Sequence, residues 1–188
     1  MENDHILLDR ALELFSRRGY DAVGVQEIVE SAGLTKPTLY HYFGSKRGLL
    51  EALLKRESGH LLTAIVEAAL YQGDLVLTLE RVVRAYFSVA KQHSTFYRMQ
   101  LGMYFSPPES ETYHAVWPFA REQREILEGV FIHAAEDHGN LRGRHTRYAV
   151  GFLGQINAVI GLYLHNEISL DDQRVYELVH QFMHGIYS

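Results

Sequence analysis

Cysteine is absent from the 188 residues, which excludes disulfides, thiolate catalysis, thiol redox sensing and cysteine metal sites. Prolines number four and tryptophans one, so long helices meet few breakers and Trp117 can serve as a lone fluorescent reporter. No run of about 18 apolar residues is free of charge, so no transmembrane helix and no membrane partner are expected. The opening Met1-Glu2-Asn3-Asp4 is acidic, where a signal peptide would be basic, and a cytoplasmic location is the expectation. No window alternates in the strand pattern, and the expected class is all-α. His-Glu-x-x-His, a nucleophile elbow and a Gly-rich phosphate loop are all missing, so neither an enzyme nor a resident cofactor is expected. A net charge of -5 argues against a general nucleic-acid coating protein, because non-specific affinity comes from neutralised phosphates. One segment departs from that acidity: Ser31 to Leu50 holds Lys36, Lys46 and Arg47 and no acidic side chain.

Helical periodicity predicts about nine helices. Leu8, Ala11, Leu12 and Phe15 form a first stripe that ends in Arg17-Arg18 before Gly19, with cations in the last turn and glycine beyond it. Val25, Ile28, Val29 and Ala32 form a second, short stripe stopping at Gly33. Thr35 can cap a third helix with Pro37 in its first turn, where a missing N–H costs nothing. Gly44-Ser45 breaks and recaps the chain, and a long fourth helix is expected to end near Gly73. Further helices are read at about 75–92, 95–105 (capped by Ser94), 109–137 with a kink or break at Pro118, 144–166 and 171–187. These elements suggest a DNA-binding domain over 1–48, a connecting long helix over 49–73 and a helical effector-binding and dimerisation domain over 74–188.

Two short helices joined by a glycine turn form a helix-turn-helix, whose second helix reads the major groove with its N-terminal residues. Here those residues are Thr35, Lys36, Pro37 and Thr38. Phe15, Gly19-Tyr20, Val25, Ile28, Ala32-Gly33, Thr38-Leu39-Tyr40, Tyr42-Phe43 and Ser45-Lys46 follow the order and spacing of one family, and over residues 6 to 55 the sequence closely resembles the TetR family of transcriptional regulators. The resemblance implies a homodimer that binds a pseudo-palindromic double-stranded DNA operator, usually represses transcription, and releases the operator when a small-molecule effector binds. By position it makes Gln26 and Lys36 base readers, while Thr38, Tyr40, His41, Tyr42 and Lys46 mostly hold phosphates. The chemistry agrees: lysine donates to guanine, glutamine pairs with adenine, and Pro37 offers an apolar face to a thymine methyl group. Two departures are local. Val23-Gly24 stands where the family commonly has a hydroxyl pair, and Gly48 stands where glutamate is common, a change that loosens the start of the fourth helix by under about 1 kcal/mol.

Residues 96–119 hold seven of the chain's 22 aromatics together with Met99 and Met103. Such residues fill a core or line a pocket. The pocket reading takes Phe96, Met99, Gln100, Met103, Tyr104, His114, Trp117 and Gln155 as lining, for a small apolar or aromatic effector. Gly151, Gly154, Ala158 and Gly161 recur on one helical face, where glycine is unfavourable unless another helix approaches closely. With Val175, Val179, Phe182 and Met183 on the last helix they form the expected dimer interface, intrachain packing being the alternative. Histidines raise a different class of function as an alternative, an all-helical histidine-rich metal-binding enzyme, since His180 and His184 are spaced i, i+4 and Glu-x-x-His occurs at Glu57/His60, Glu111/His114 and Glu177/His180, a spacing used in helical di-iron sites. In a sequence rich in both residue types such matches arise by chance, so no metal site is assigned. A small-molecule binding protein without operator recognition is the remaining alternative.

Overall fold

The computed structural model describes residues 2–185. Among them are nine α-helices: α1 (Glu2–Arg18), α2 (Val25–Ser31), α3 (Lys36–Phe43), α4 (Lys46–Ala68), α5 (Leu75–Gln92), α6 (Ser94–Tyr104), α7 (Glu111–Asp137), α8 (His145–Leu164) and α9 (Asp172–His184), with a 3-10 turn at Gly139–Leu141 between α7 and α8. The chain is all-α, as its periodicity requires. Several details differ from expectation. α4 stops at Ala68 rather than near Gly73, and Ser94 is the first residue of α6 rather than its cap. α7 runs through Pro118; proline removes one hydrogen bond there, and the rest of a 27-residue helix carries the backbone across. Ile186 and Tyr187, expected in the last helix, lie outside the described residues.

The residues group into two compact units, Met1–Gly59 with Thr95–Pro118, and His60–Ser94 with Phe119–Ser188. This division cuts α4 and α7 and sets α6 apart from α5, whereas the sequence suggested one continuous domain from residue 74. Periodicity marks where helices are; which helices share a core depends on contacts far apart in the chain.

In the first unit α1, α2 and α3 pack on one another. Leu7, Ala11 and Phe15 of α1, Ile28 and Val29 of α2, Leu39 of α3 and Leu49, Leu50, Leu53 and Leu54 of α4 are buried. The turn between α2 and α3 is closed by Gly33 at φ 66°. Leu34 N–H donates to Val29 O at 2.8 Å and Gly33 N–H to Glu30 O at 3.1 Å, the paired bonds of a glycine-terminated helix end. Gly44 ends α3, also at a positive φ of 71°, and Ser45 caps α4, its Oγ accepting from Gly48 N–H at 2.9 Å.

Gly48 has a steric reason that propensity alone misses. A β-carbon at this position would collide with the Phe43 carbonyl oxygen and lie 3.2 Å from the Phe43 carbonyl carbon. Backbone cannot swing aside as a side chain can, so Gly48→Ala must shift the junction between α3 and α4. We expect a loss of about 1 kcal/mol despite alanine's better helix propensity, read as a lower midpoint of urea unfolding; an unchanged or raised midpoint would refute the collision.

In the second unit α5 packs against α8 and α9, which also contact each other. α5 buries Leu75, Leu79, Val82, Val83, Tyr86, Phe87 and Ala90, the broad inward face of a central helix. The Tyr86 hydroxyl, fully enclosed, donates to Gln123 Oε1 at 3.2 Å. Asp74 caps α5 by accepting from Leu77 N–H, and Asp171 caps α9 by accepting from Arg174 N–H, each at 2.9 Å. The Ser169 hydroxyl, then that N–H, hold the Asp171 carboxyl below its ordinary value of 3.8. A depressed carboxyl stabilises the fold above its unfolded pKa and loses that contribution as pH falls through the folded one. Asp171→Ala should therefore lower the unfolding temperature at neutral pH, and its difference from the native protein should vanish below the carboxylate range. A difference that persists undiminished in acid would show that the cap acts without its charge.

Candidate nucleic-acid interface and effector site

α3 is anchored from below and open above. Leu39 is completely buried, while Lys36, Pro37, Tyr40, His41 and Tyr42 are exposed and Thr38 is half-buried. With 3.6 residues per turn, one apolar anchor in the middle of eight residues leaves the N-terminal turn and the outer side to the solvent. Tyr40 is 47% exposed, so its ring is not a core element. Among the described residues Lys36 has no hydrogen-bond or ion-pair partner; its ammonium is available to a ligand. His41 stacks edge-on against Tyr42 at 5.2 Å, which holds both rings on the outer side. Thr35 occupies the cap position of α3 but forms no side-chain cap bond. Its Oγ1 instead lies 2.9 Å from Thr38 Oγ1, so the expected hydroxyl cap is replaced by a hydroxyl pair. Gln26 is exposed on α2, with its amide donating to Glu30 on the same helix.

Lys46 differs from the other cations of this segment. Its Nζ donates to the Tyr20 carbonyl at 2.6 Å and sits 4.0 Å from the centroid of the Tyr20 ring. Burial pulls its pKa below the ordinary lysine value, while Asp21 and Glu111 oppose that shift. Arg47 is exposed and paired with Glu51 at 2.9 Å.

The expected effector residues separate into three groups. Phe96, Met99, Gln100 and Met103 are buried on α6, and Gln100 Oε1 is enclosed without a hydrogen-bond partner. Met99 and Met103 line a cleft of about 310 Å³, together with Phe15, Tyr20, Arg98 and Thr112. Tyr104, His114 and Trp117, expected to line the same pocket, are instead exposed and are not among the residues that line this cleft. α6 turns its 96, 99, 100 and 103 positions inward, which puts 104 on the outer edge. There Tyr104 stacks on Trp117 at 6.2 Å, and Trp117 on Tyr113 at 5.3 Å. Gln155 is half-buried on α8, in the second unit. Phe15 and Tyr20 were absent from the expected lining because their spacing with the α1 core hides any role at a cleft.

The strip of small residues faces outward. Gly151, Gly154 and Ala158 are exposed and Gly161 is half-buried, and a β-carbon on any of the three glycines would meet nothing within 4 Å. Intrachain packing does not account for the strip. Val150 and Leu162 flank it on α8, and Tyr176, 54% exposed, and Met183 extend the apolar surface on α9. Val175 and Val179, expected at the same interface, are buried within the chain, on the side of α9 that packs against α5 and α8. Phe182 likewise packs inward, its ring 4.7 Å from Phe152 and 6.0 Å from Phe131. The apolar positions of α9 thus divide between two faces. Among the described residues no three metal-competent side chains gather, and the Glu111 carboxylate accepts from the Tyr20 hydroxyl at 2.5 Å.

Comparison with known proteins places these features in context. A family model described as "Bacterial regulatory proteins, tetR family" matches residues 7–53. The HTH-type transcriptional activator FasR of Mycolicibacterium smegmatis is 30% identical over 180 residues, 95% of this chain and 80% of that protein. The HTH-type transcriptional repressor KstR2 of Rhodococcus jostii is 34% identical over 89 residues, covering 47% of this chain and 44% of that protein. Among solved structures, the transcriptional regulator FadR from Bacillus subtilis in complex with stearoyl-CoA matches with a TM-score of 0.81 at 20% identity, covering 97% of this chain and 99% of that one. A fatty acid metabolism regulator described as putative in Clostridium perfringens matches with a TM-score of 0.82 at 17% identity, with the same coverage. At these identities the structural likeness shows a shared fold.

Proposed function

We propose that this chain, which belongs to the tetR family of bacterial regulatory proteins and is a DNA-binding transcriptional regulator, works as a homodimer whose grip on a pseudo-palindromic operator is set by an effector with a long apolar body and a polar end. The observation that carries the reading is α3, with Leu39 buried beneath an exposed Lys36 that has no partner among the described residues. Two such helices, one per chain, would enter successive major grooves roughly 34–36 Å apart. Effector binding would favour a dimer state in which that spacing is lost.

The effector class is supported from two directions. The names of the similar proteins include regulators of fatty acid metabolism and one bound to stearoyl-CoA, and thioether, aromatic and amide side chains on α6 suit a ligand that is mostly carbon. Genomic-site selection with the purified protein, followed by footprinting, tests operator binding. Titration with stearoyl-CoA, stearate and free coenzyme A, following Trp117 emission and operator release together, tests the effector. Acyl compounds that leave both signals unchanged would remove that class.

Repression is what the family resemblance implies. A second reading, activation, is favoured by the relative that aligns with 95% of this chain, which is named an activator. A reporter gene placed under the recovered operator distinguishes them, since deletion of the regulator raises expression in the first case and lowers it in the second.

A further inference from the structure

We propose that Lys46 serves operator binding as a positioning residue rather than as a phosphate ligand: it clamps the start of α4 to the turn after α1, and the Tyr20 hydroxyl ties that clamp to Glu111 at the start of α7. The inference rests on the operator-binding reading and adds a division of labour among its cations.

The Lys46 ammonium already has its partners. The 2.6 Å bond to the Tyr20 carbonyl and the 4.0 Å approach to the Tyr20 ring combine a charge-assisted hydrogen bond with a cation–π contact. The ammonium keeps other N–H donors, but this bond and the ring contact hold it against Tyr20, so it has less freedom than Lys36 to follow a phosphate. Lys36 by contrast is exposed and unpartnered among the described residues, as a ligand-seeking cation should be.

The clamp sits where small movements matter. Lys46 is the first residue of α4 and follows the Gly44-Ser45 break that ends α3, so fixing its ammonium fixes where the recognition helix stops. Tyr20 follows Gly19, which ends α1 at φ 79°. Its ring is buried, edge-on to Phe15 at 5.2 Å. Its hydroxyl donates to Glu111 Oε2 at 2.5 Å, and burial and that carboxylate raise its pKa well above the ordinary tyrosine value, so it keeps its proton as donor. One residue thereby joins three junctions: α1 to α2 through its backbone, α3 to α4 through Lys46, and α6 to α7 through Glu111.

The cleft makes these polar bonds matter. Its lining includes Tyr20 itself, with Phe15, Gly19, Met99 and Thr112. The Phe15 ring, the Lys46 ammonium and the Glu111 carboxylate together set the position of the Tyr20 side chain.

The test uses the full chain and an operator duplex recovered by selection with the native protein. Lys46→Met keeps an apolar stem and removes the ammonium, Tyr20→Phe removes only the hydroxyl, and Glu111→Gln removes the acceptor's charge. Affinity is measured against salt concentration, and for duplexes whose half-site spacing is lengthened or shortened by one base pair. Lys46→Met should weaken the native operator by about tenfold with an unchanged salt slope, and should narrow the preference for native spacing over altered spacing. Tyr20→Phe and Glu111→Gln should show smaller losses of the same kind, with the double variant no weaker than the weaker single one. A salt slope shallower by about 0.9 per chain in Lys46→Met would make it a phosphate ligand and overturn the proposal. So would an affinity loss that leaves the spacing preference intact, which marks a merely structural role. If the native protein selects no duplex at all, the operator reading falls and this inference with it.

Discussion

Gly154→Leu is expected to give a folded monomer that no longer binds operator DNA tightly. In the isolated chain the substituted side chain has room, because a β-carbon at Gly154 meets nothing within 4 Å, and leucine favours a helix over glycine by up to about 1 kcal/mol. The cost appears only if a second chain approaches this face. A strip of Gly151, Gly154 and Ala158 lets two backbones come close, and a leucine would force them apart, with overpacking of this kind typically costing about 1–3 kcal/mol. In a two-fold dimer both chains carry the change, so the loss is incurred at symmetric sites. Sedimentation should find monomers at concentrations where the native protein is dimeric, with thermal stability of the dilute chain unchanged or raised. Operator affinity should fall with the dimer, because each chain supplies one recognition helix. A Gly154→Leu protein that remains fully dimeric would place the interface on another surface.

Lys36→Ala should remove sequence preference rather than general DNA affinity. Its ammonium stands exposed at the first residue of α3, the end of a recognition helix that meets base edges. A lysine donating to guanine contributes about 1–3 kcal/mol of discrimination against the wrong base. The variant should therefore bind the selected operator five- to one-hundred-fold more weakly, to order of magnitude, yet bind unrelated duplexes nearly as before. The measurement is a ranking of single-base operator variants by competition. If the ranking is the same with and without the lysine, Lys36 is not a reader and its role is confined to the phosphates.

Much of the first fifty residues was legible because local rules dominate there. Gly33 and Gly44 mark turns through a backbone geometry that disfavours other residues, and Leu39 announces the inner side of α3 by its spacing from the apolar positions of α2. Gly48 was misjudged because helix propensity describes a residue in its own helix, while the reason for glycine lies in the Phe43 carbonyl across the junction. Lys46 was grouped with the other cations because charge is visible in a sequence and the carbonyl that engages it is not.

Sequence alone determined the helical class, the helix-turn-helix and the strip of small residues along one helical face, since each is written in spacings of a few positions, where the 3.6-residue period and glycine's freedom leave little choice. Only tertiary structure decided which apolar residues share a core. It turned Val175, Val179 and Phe182 inward while leaving Tyr176 and Met183 outside, moved Tyr104 and Trp117 to the surface, and grouped α6 and the first turns of α7 with the DNA-binding helices. The physical reason is that burial is non-directional: a broad apolar helix gains similarly by covering any of its faces, and the choice among them belongs to partners that lie dozens of residues away.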